Sequence, residues 1–376
     1  MNKNLRNELS LALSESTYAH TKKNEVIRCE ITKEWDLAGH VWNIEYLVAK
    51  IIKSTENYFS VKENRFKNGS YMHVKKVGNL IINSFKVNTD ALKQHYPMHQ
   101  FNPYVDLYIK LTEERYFFGM SWLAHVMSCG EVIARCDALN GLVSELRKIG
   151  NSNKFKKTLS DFERSSNKNY QELVKYIDKQ FEKHSRLLAL RIDFGYLKDQ
   201  CWPSNIEGAI KYDEVKLHRE SLLTYMKKLL PKNSMVGFAW KLEYGLDKSY
   251  HYHLLLLLDG SIVREDITIA RMIGEYWNKT ITSGKGLYWN CNANKSAYKS
   301  CGIGMVSYYD SDARIGLKKA ALYMTKTDYY IKMVIPGNGR IFGKGNMPEH
   351  KVNNLGRPRN IGKGKPDDFG YIGLSV

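Results

Sequence analysis

Residues 250–260, with the sequence YHYHLLLLLDG, constrain the fold more than any other part of the chain. Five consecutive leucines leave no polar face, and an apolar run of this length that ends at turn residues is typical of a strand buried on both sides. Residues 235–244, MVGFAWKLEY, form a second strand pattern, and Gly-Leu-Asp-Lys-Ser separates the two. The sequence therefore predicts a β-hairpin whose second strand lies at the centre of a sheet.

The patterns around this hairpin predict an α+β fold. Their order along the chain is strand, helix, strand, strand, helix, strand, helix, which favours an antiparallel sheet flanked by helices. Helices are expected at 171–184, 213–231, 264–280 and 311–333, and further strands at 185–196 and 303–309. Residues 150–168 are polar and rich in Ser, Asn and Lys, so we expect a boundary or a long connection there. We divide the chain into a mixed, partly helical N-terminal region (1–170), a second domain (171–345) and a basic tail (346–376).

Two histidines stand at the start of the leucine strand. His251 and His253 are two residues apart, so a strand presents both imidazoles on one face. If residues 245–249 form the hairpin loop, Glu243 lies opposite His251, with Cβ atoms about 5 Å apart. Two imidazoles and one carboxylate, with room left for substrate oxygens, suit Mn²⁺ or Mg²⁺. Asp193, on the predicted strand at 185–196, is an alternative source of the carboxylate.

A polar stripe runs along the predicted helix at 311–333. This stripe follows helical spacing and is separate from the apolar face of the same helix; it consists of Lys319, Tyr323, Lys326 and Tyr330. A tyrosine oxygen beside a lysine ammonium suits phosphoryl transfer, because a phenolate can attack phosphorus while the cation offsets the added negative charge. Tyr330 continues this stripe, whereas Tyr329 lies off it.

The charge of the chain indicates a polyanionic partner. It carries 57 Lys and Arg against 39 Asp and Glu, a formal net charge of +18. Basic side chains displace the counterions that condense on phosphates, and their spread along the whole chain favours an extended nucleic-acid track. No apolar run is long enough to cross a membrane and the N-terminus lacks a signal-peptide core, so we expect a cytoplasmic protein with no membrane partner.

The two elements, in this order, resemble the HUH endonucleases that initiate rolling-circle replication, in which a His-hydrophobic-His strand precedes a Tyr-x-x-Lys helix. The segments RLLALRIDFGY, HYHLLLLLDG and ALYMTKTDYY are most similar to the filamentous-phage (inovirus) gene II-type initiators and their prophage relatives. The resemblance covers residues 180–345. It implies an RRM-like antiparallel sheet with the histidines on a central strand.

The resemblance also implies a reaction. His251, His253 and Glu243 would bind the divalent metal, Tyr323 would be the nucleophile, and Lys326 would be its cationic neighbour. Some enzymes of this type use two tyrosines, which makes Tyr330 a candidate second nucleophile. Such an enzyme nicks single-stranded DNA at an origin, keeps a 5′-phosphotyrosine link and leaves a 3′-OH that primes synthesis by a host polymerase. No Walker-type motif is present in the sequence, so unwinding would need a host helicase.

Other interpretations remain open. The same fold could serve as a non-catalytic DNA-binding regulator of a mobile element, or the chain could be a related transposase, although its long N-terminal region fits a transposase poorly. We expect Arg191 and Lys319 to contact DNA. We expect the N-terminal region to supply origin recognition or a partner surface.

Overall fold

The computed structural model describes residues 18–23, 26–31, 34–64, 69–115, 128–197, 210–245, 249–298, 300–335, 337 and 339–349. These residues form an α+β fold whose six-stranded sheet is antiparallel, as the sequence predicts. No helix within these ranges is both long and apolar enough to span a bilayer. Of the predicted basic tail (346–376), the part from residue 350 onward lies outside the described residues.

The helices, in chain order, are α1 (Glu34–Lys53), α2 (Lys76–Ser84), α3 (Thr89–His95), α4 (Pro103–Glu114), α5 (Cys129–Gly150), α6 (Asn153–Lys183), α7 (Tyr212–Leu229), α8 (Asp266–Tyr276) and α9 (Ser311–Lys326). The strands are β1 (Tyr18–Lys23), β2 (Val26–Ile31), β3 (Phe59–Asn64), β4 (Gly69–Val74), β5 (His99–Phe101), β6 (Arg186–Tyr196), β7 (Met235–Gly245), β8 (Ser249–Asp259), β9 (Gly286–Asn290), β10 (Gly304–Ser307), β11 (Ile331–Met333) and β12 (Phe342–Lys344).

Contacts divide the chain into two units. The sheet unit contains Ser166–Thr327 together with the described residues up to Glu34 and from Met333 onward. The N-terminal unit contains Trp35–Ser165 together with Asp328–Lys332. In the N-terminal unit, β3 pairs with β4, and β11 pairs with β5. Within this unit the Tyr329 hydroxyl donates a hydrogen bond to the buried Glu45 carboxylate, and the Asn102 side chain donates to the Tyr329 carbonyl.

The sheet unit is built on a six-stranded sheet with the order β10-β6-β8-β7-β12, and β9 pairs with the other half of β6. The leucine strand β8 lies at the centre and pairs with β6 and β7. Leu255 and Leu257 pack against α6 and α9 in one buried cluster. The intervening side chains face the opposite side, where the Tyr252 hydroxyl lies within hydrogen-bond distance of the Val215 carbonyl oxygen on α7. The sheet is therefore covered on both faces, which explains the continuous leucine run.

Residues 150–168 were predicted to be a boundary or a long connection. The boundary between the two units does fall in this range, between Ser165 and Ser166, but the residues form a helix and not a connection. The chain turns only at Asn151 and Ser152 and then continues as the 31-residue helix α6. The Ser152 hydroxyl accepts a hydrogen bond from the Phe155 amide, as an N-terminal capping residue does. Phe155 and Phe162 are buried, and the polar residues between them lie on the remaining faces of the helix. The seven-residue spacing of Phe155 and Phe162 thus indicates an amphipathic helix, although the segment is mostly polar.

The predicted helix at 311–333 is too long. Helix α9 ends at Lys326, a 3₁₀ turn covers Thr327–Tyr329, and Ile331–Met333 form a strand. The strand forms because it pairs with β5, and the Asn102 amide next to β5 donates to the Tyr330 carbonyl. Strand β5 lies more than 200 residues earlier in the chain. Such a distant partner has no trace in the local pattern.

Candidate functional site

The hairpin register brings the predicted residues together. Glu243 pairs directly with His251, and Tyr244 pairs with Tyr250, as predicted from the loop length. Opposed residues share a face, so Glu243, His251 and His253 converge on the same side of the sheet. The connecting residues 246–248 lie outside the described part of the chain.

Glu243, His251 and His253 form a set that could hold a metal ion, since one ligand atom from each lies within 4.8 Å of the others. The Glu243 Oε2 atom lies 3.4 Å from His251 Nε2 and 3.3 Å from His253 Nε2. The exposed fraction of each of these side chains is between 11% and 15%, so the set is largely shielded from water.

The second nitrogen of each imidazole is held by an oxygen. His253 Nδ1 lies 2.7 Å from Asp193 Oδ1, and His251 Nδ1 lies 3.2 Å from the Ser249 carbonyl oxygen. Ser249 adopts a left-handed φ of 54°, which is uncommon for residues other than glycine and asparagine. An acceptor at Nδ1 fixes the tautomer that leaves the Nε2 lone pair free for a metal. Asp193, predicted as an alternative ligand, thus lies opposite His253 and orients it from the outer side.

The charges of the set are strongly coupled. Burial raises the pKa of Glu243, but His253 and His251 outweigh this effect and hold its pKa well below the usual range. Burial alone would lower the pKa of His253, but the carboxylates of Asp193 and Glu243 dominate and raise the pKa to about 9. The metal-free site therefore holds a proton on His253 at neutral pH.

These residues fit a divalent cation. The His251 Nε2 atom is buried and makes no hydrogen bond within the described residues. It is directed at Glu243 Oε2, the same carboxylate oxygen that His253 Nε2 approaches. Two imidazoles and one carboxylate are ligands that Mn²⁺ accepts, and Mg²⁺ favours the carboxylate together with substrate oxygens. Three protein ligands leave positions open for those oxygens.

Tyr323 is half-buried on α9 and lies beside Arg191 of β6. The Arg191 guanidinium carbon is 5.8 Å from the centre of the Tyr323 ring. Arg191 Nε is 3.7 Å from Asp193 Oδ1, the same oxygen that lies 2.7 Å from His253. The predicted nucleophile is therefore connected to the metal set through two side chains of one strand.

Helix α9 has a second connection to the same set at its C-terminal end. The Thr327 hydroxyl donates a hydrogen bond of 3.1 Å to Glu243 Oε1, the carboxylate oxygen that faces away from the histidines. Thr327 follows Tyr323 by four residues and is buried. The sequence pattern of Tyr-x-x-Lys did not indicate this residue.

Four other residues of the predicted helix at 311–333 remain, and the structure places each of them differently. Tyr330 is fully buried in the N-terminal unit after α9 has ended, so its place in the helical stripe was predicted wrongly. The Lys319 ammonium donates a hydrogen bond of 3.2 Å to the Ser300 hydroxyl. The Lys326 side chain lies outside the described part of the structure, and its geometry at the site stays a prediction. Tyr329 is buried and bonded to Glu45, consistent with its exclusion from the stripe.

A buried lysine also lies on the site face. Lys241 is 99% buried, belongs to β7 and pairs directly with His253. The two-residue period that relates it to Glu243 could have identified it, because the same register that places Glu243 opposite His251 places Lys241 opposite His253.

Comparison with known proteins identifies the family of this region. The family model for the YagK/YfjJ C-terminal domain matches residues 150–344, just over half of the chain, and this range includes every site residue described above. No curated protein and no solved structure gives a significant match. The chain therefore belongs to the YagK/YfjJ C-terminal domain family.

Proposed function

We propose that this protein is an HUH-type tyrosine DNA endonuclease that nicks one strand at an origin and initiates rolling-circle replication of a phage, prophage, satellite or plasmid. The observation that carries the proposal is the convergence of Glu243, His251 and His253, with Tyr323 joined to them through Arg191 and Asp193. A binding protein would have no use for this combination of ligands and nucleophile.

The fold is compatible with this proposal. HUH enzymes carry their histidines on a central strand of an RRM-like antiparallel sheet, and here both histidines belong to β8, which lies between β6 and β7. Helix α9 follows the histidine strand along the chain, as the nucleophile helix does in the initiators that the sequence resembles.

The proposed reaction is a transesterification. The Tyr323 hydroxyl gives up its proton and its oxygen attacks the phosphorus of a phosphodiester. The bond from phosphorus to the 3′ oxygen breaks, and that oxygen leaves and takes up a proton, so no net proton is gained or lost. The strand then carries a 5′-phosphotyrosine link and a free 3′-OH, and attack by a 3′-OH on this link rejoins the strand. A bound Mn²⁺ or Mg²⁺ would polarise the phosphate oxygens and stabilise their charge in the transition state.

The protein's own residues would divide the remaining work. Arg191 steadies the tyrosine ring, and Asp193 keeps the His253 Nδ1 proton in place so that Nε2 faces the site. The net charge of +18 supports single-stranded and origin DNA as partners. We further propose that a host helicase and polymerase act with it in the bacterial cytoplasm.

The test is to incubate full-length protein with labelled single-stranded oligonucleotides that tile the DNA flanking its gene, with Mn²⁺ or Mg²⁺, and to separate the products on a denaturing gel. We expect a protein-linked product that is lost with Tyr323→Phe, with His251→Ala and with EDTA. Tight DNA binding without an adduct in any metal would instead identify a non-catalytic DNA-binding regulator and refute the nuclease.

A further inference from the structure

We propose that Thr327 and Arg191 are positioning residues that tie the Tyr323 helix to the metal ligands, so that metal binding and ordering of the nucleophile helix are one coupled event. This inference rests on the proposed function for the role of Tyr323. It adds that the metal site also controls where the tyrosine lies.

The first tie is the hydrogen bond between Thr327 and Glu243. The two carboxylate oxygens of Glu243 have separate partners, since Oε2 faces both histidines and Oε1 accepts from the Thr327 hydroxyl. A cation that binds Oε2 fixes the rotation of the carboxylate and therefore the position of Oε1. Because Thr327 is one helical turn beyond Tyr323, fixing Oε1 also fixes the end of the helix that carries the nucleophile.

The second tie is the sequence of contacts from Tyr323 to Arg191, Asp193 and His253. The guanidinium lies 5.8 Å from the ring centre and 3.7 Å from the carboxylate, and the carboxylate lies 2.7 Å from the imidazole. Arg191 is only 11% exposed, so it has little room to rearrange. Its backbone amide is held as well, by a hydrogen bond of 2.9 Å to the Asn292 side chain. A ligand that fixes His253 thus fixes the cation beside the tyrosine.

Linkage makes the coupling measurable from either side. If metal binding favours the ordered end of α9, then the ordered end of α9 favours metal binding by the same factor. A substitution of Thr327 or Arg191 that removes this coupling should therefore weaken metal binding. Removing an outer partner of a metal ligand typically lowers metal affinity by about 10- to 100-fold. We therefore expect Thr327→Val to weaken Mn²⁺ binding about tenfold or more, although Thr327 is not a ligand.

The experiment uses the full-length protein without DNA and has two readouts. Free Mn²⁺ is titrated by electron paramagnetic resonance, and hydrogen exchange of peptides from residues 311–326 is compared with and without Mn²⁺. Thr325→Val is the matched control for Thr327→Val, because Thr325 is also buried and its hydroxyl donates to the Ala321 carbonyl within the same helix. Thr327→Ser keeps the hydroxyl and must bind Mn²⁺ like the wild type.

Arg219→Met is the matched control for Arg191→Met. The Arg219 side chain is also 11% exposed and its guanidinium lies 4.2 Å from the Trp240 ring, on the sheet face opposite the metal ligands. We expect Arg191→Met to reduce the Mn²⁺-dependent protection of α9 and Arg219→Met to leave it intact.

The coupling is supported if Mn²⁺ slows exchange in α9 of the wild type and of both controls, and if Thr327→Val and Arg191→Met reduce this effect. It is overturned if exchange in wild-type α9 does not respond to Mn²⁺, or if Thr327→Val binds Mn²⁺ as tightly as Thr325→Val. Should Thr327→Val fail to fold, the wild-type exchange experiment decides alone. Neither readout needs DNA cleavage, so the proposed function and this inference can fail separately.

Discussion

Metal binding is expected to expel a proton from His253. In the metal-free site the carboxylates of Asp193 and Glu243 raise the pKa of His253 to about 9, so the imidazole is protonated at neutral pH. A metal ion needs the Nε2 lone pair that this proton occupies. Between pH 7 and 8.5 the apparent affinity should therefore rise about tenfold per pH unit, and it should level off above pH 9.

Isothermal titration calorimetry measures this exchange directly. Titrating Mg²⁺ or Mn²⁺ at pH 7.5 in two buffers of different ionisation enthalpy gives the number of protons released, and we expect about one per metal ion. Zero protons at pH 7.5, or an affinity that does not change between pH 7 and 8.5, would refute the assigned protonation of the site.

Asp193→Asn is the matched variant. It keeps an oxygen that can accept from His253 Nδ1 but removes the largest charge that raises the His253 pKa. The variant should release less than one proton at pH 7.5, and its metal affinity at pH 9.5, where protonation no longer competes, should be about 10- to 100-fold weaker. An unchanged proton count would show that Asp193 does not set the protonation of His253.

Four further predictions concern stability and the choice of nucleophile. The His253 pKa in the fold lies above its ordinary value of 6.5, so this proton stabilises the metal-free protein fully below pH 6.5. The free energy of unfolding, measured with urea in EDTA, should fall by on the order of 3 kcal/mol as the pH rises through 9. A free energy of unfolding that does not change over this range would contradict the assignment. Leu256→Ala, at a fully buried position of β8, should cost about 3 kcal/mol in the same assay, and a cost below about 1 kcal/mol would show that β8 is not central. Gly302→Ala would place its Cβ against the backbone of α9 and should destabilise the protein by about 3 kcal/mol, whereas Gly39→Ala, in open space on a helix, should be neutral or stabilising. Tyr330→Phe should leave formation of the DNA adduct unchanged, since that side chain is fully buried in the N-terminal unit; loss of the adduct would contradict its exclusion as a nucleophile.

The sequence was sufficient to predict the hairpin and the convergence of Glu243, His251 and His253. A five-leucine strand has one plausible environment, and the short loop between β7 and β8 fixes the register that places Glu243 opposite His251. Both signals are local, because alternation along a strand and the length of a turn depend only on neighbouring residues. The strand that carries Asp193 was also predicted from its local pattern. The contact of Asp193 with His253 was not, because it joins two strands that are far apart in the sequence.

The errors arise from partners that are distant in sequence. Residues 327–333 have the composition of a helix end, but pairing with β5 makes Ile331–Met333 a strand. The roles of Thr327 and Arg191 depend on contacts between different elements, so no spacing rule could identify them. The polar start of α6 was misread because average composition was given more weight than the spacing of Phe155 and Phe162.

The assignment of residues 328–332 also changes how the two parts of the chain should be tested. A deletion of residues 1–170 would remove β5, the strand that pairs with β11, and Glu45, which bonds to Tyr329. Loss of origin binding in such a truncation would therefore mix a missing recognition surface with a damaged fold. Point substitutions of exposed lysines in the full-length chain are the better test of origin recognition by the N-terminal unit.

Peptide mapping of the covalent complex tests the central claim most directly. Trypsin cleaves after Lys319, Lys326 and Lys332, so Tyr323 falls in the peptide AALYMTK and Tyr330 in the separate peptide TDYYIK. Full-length protein is incubated with single-stranded DNA and Mn²⁺, digested with nuclease and trypsin, and analysed by mass spectrometry. The account predicts a nucleotide linked through phosphate to AALYMTK, with TDYYIK unmodified. A nucleotide on TDYYIK, or cleaved DNA with no modified peptide, would contradict it.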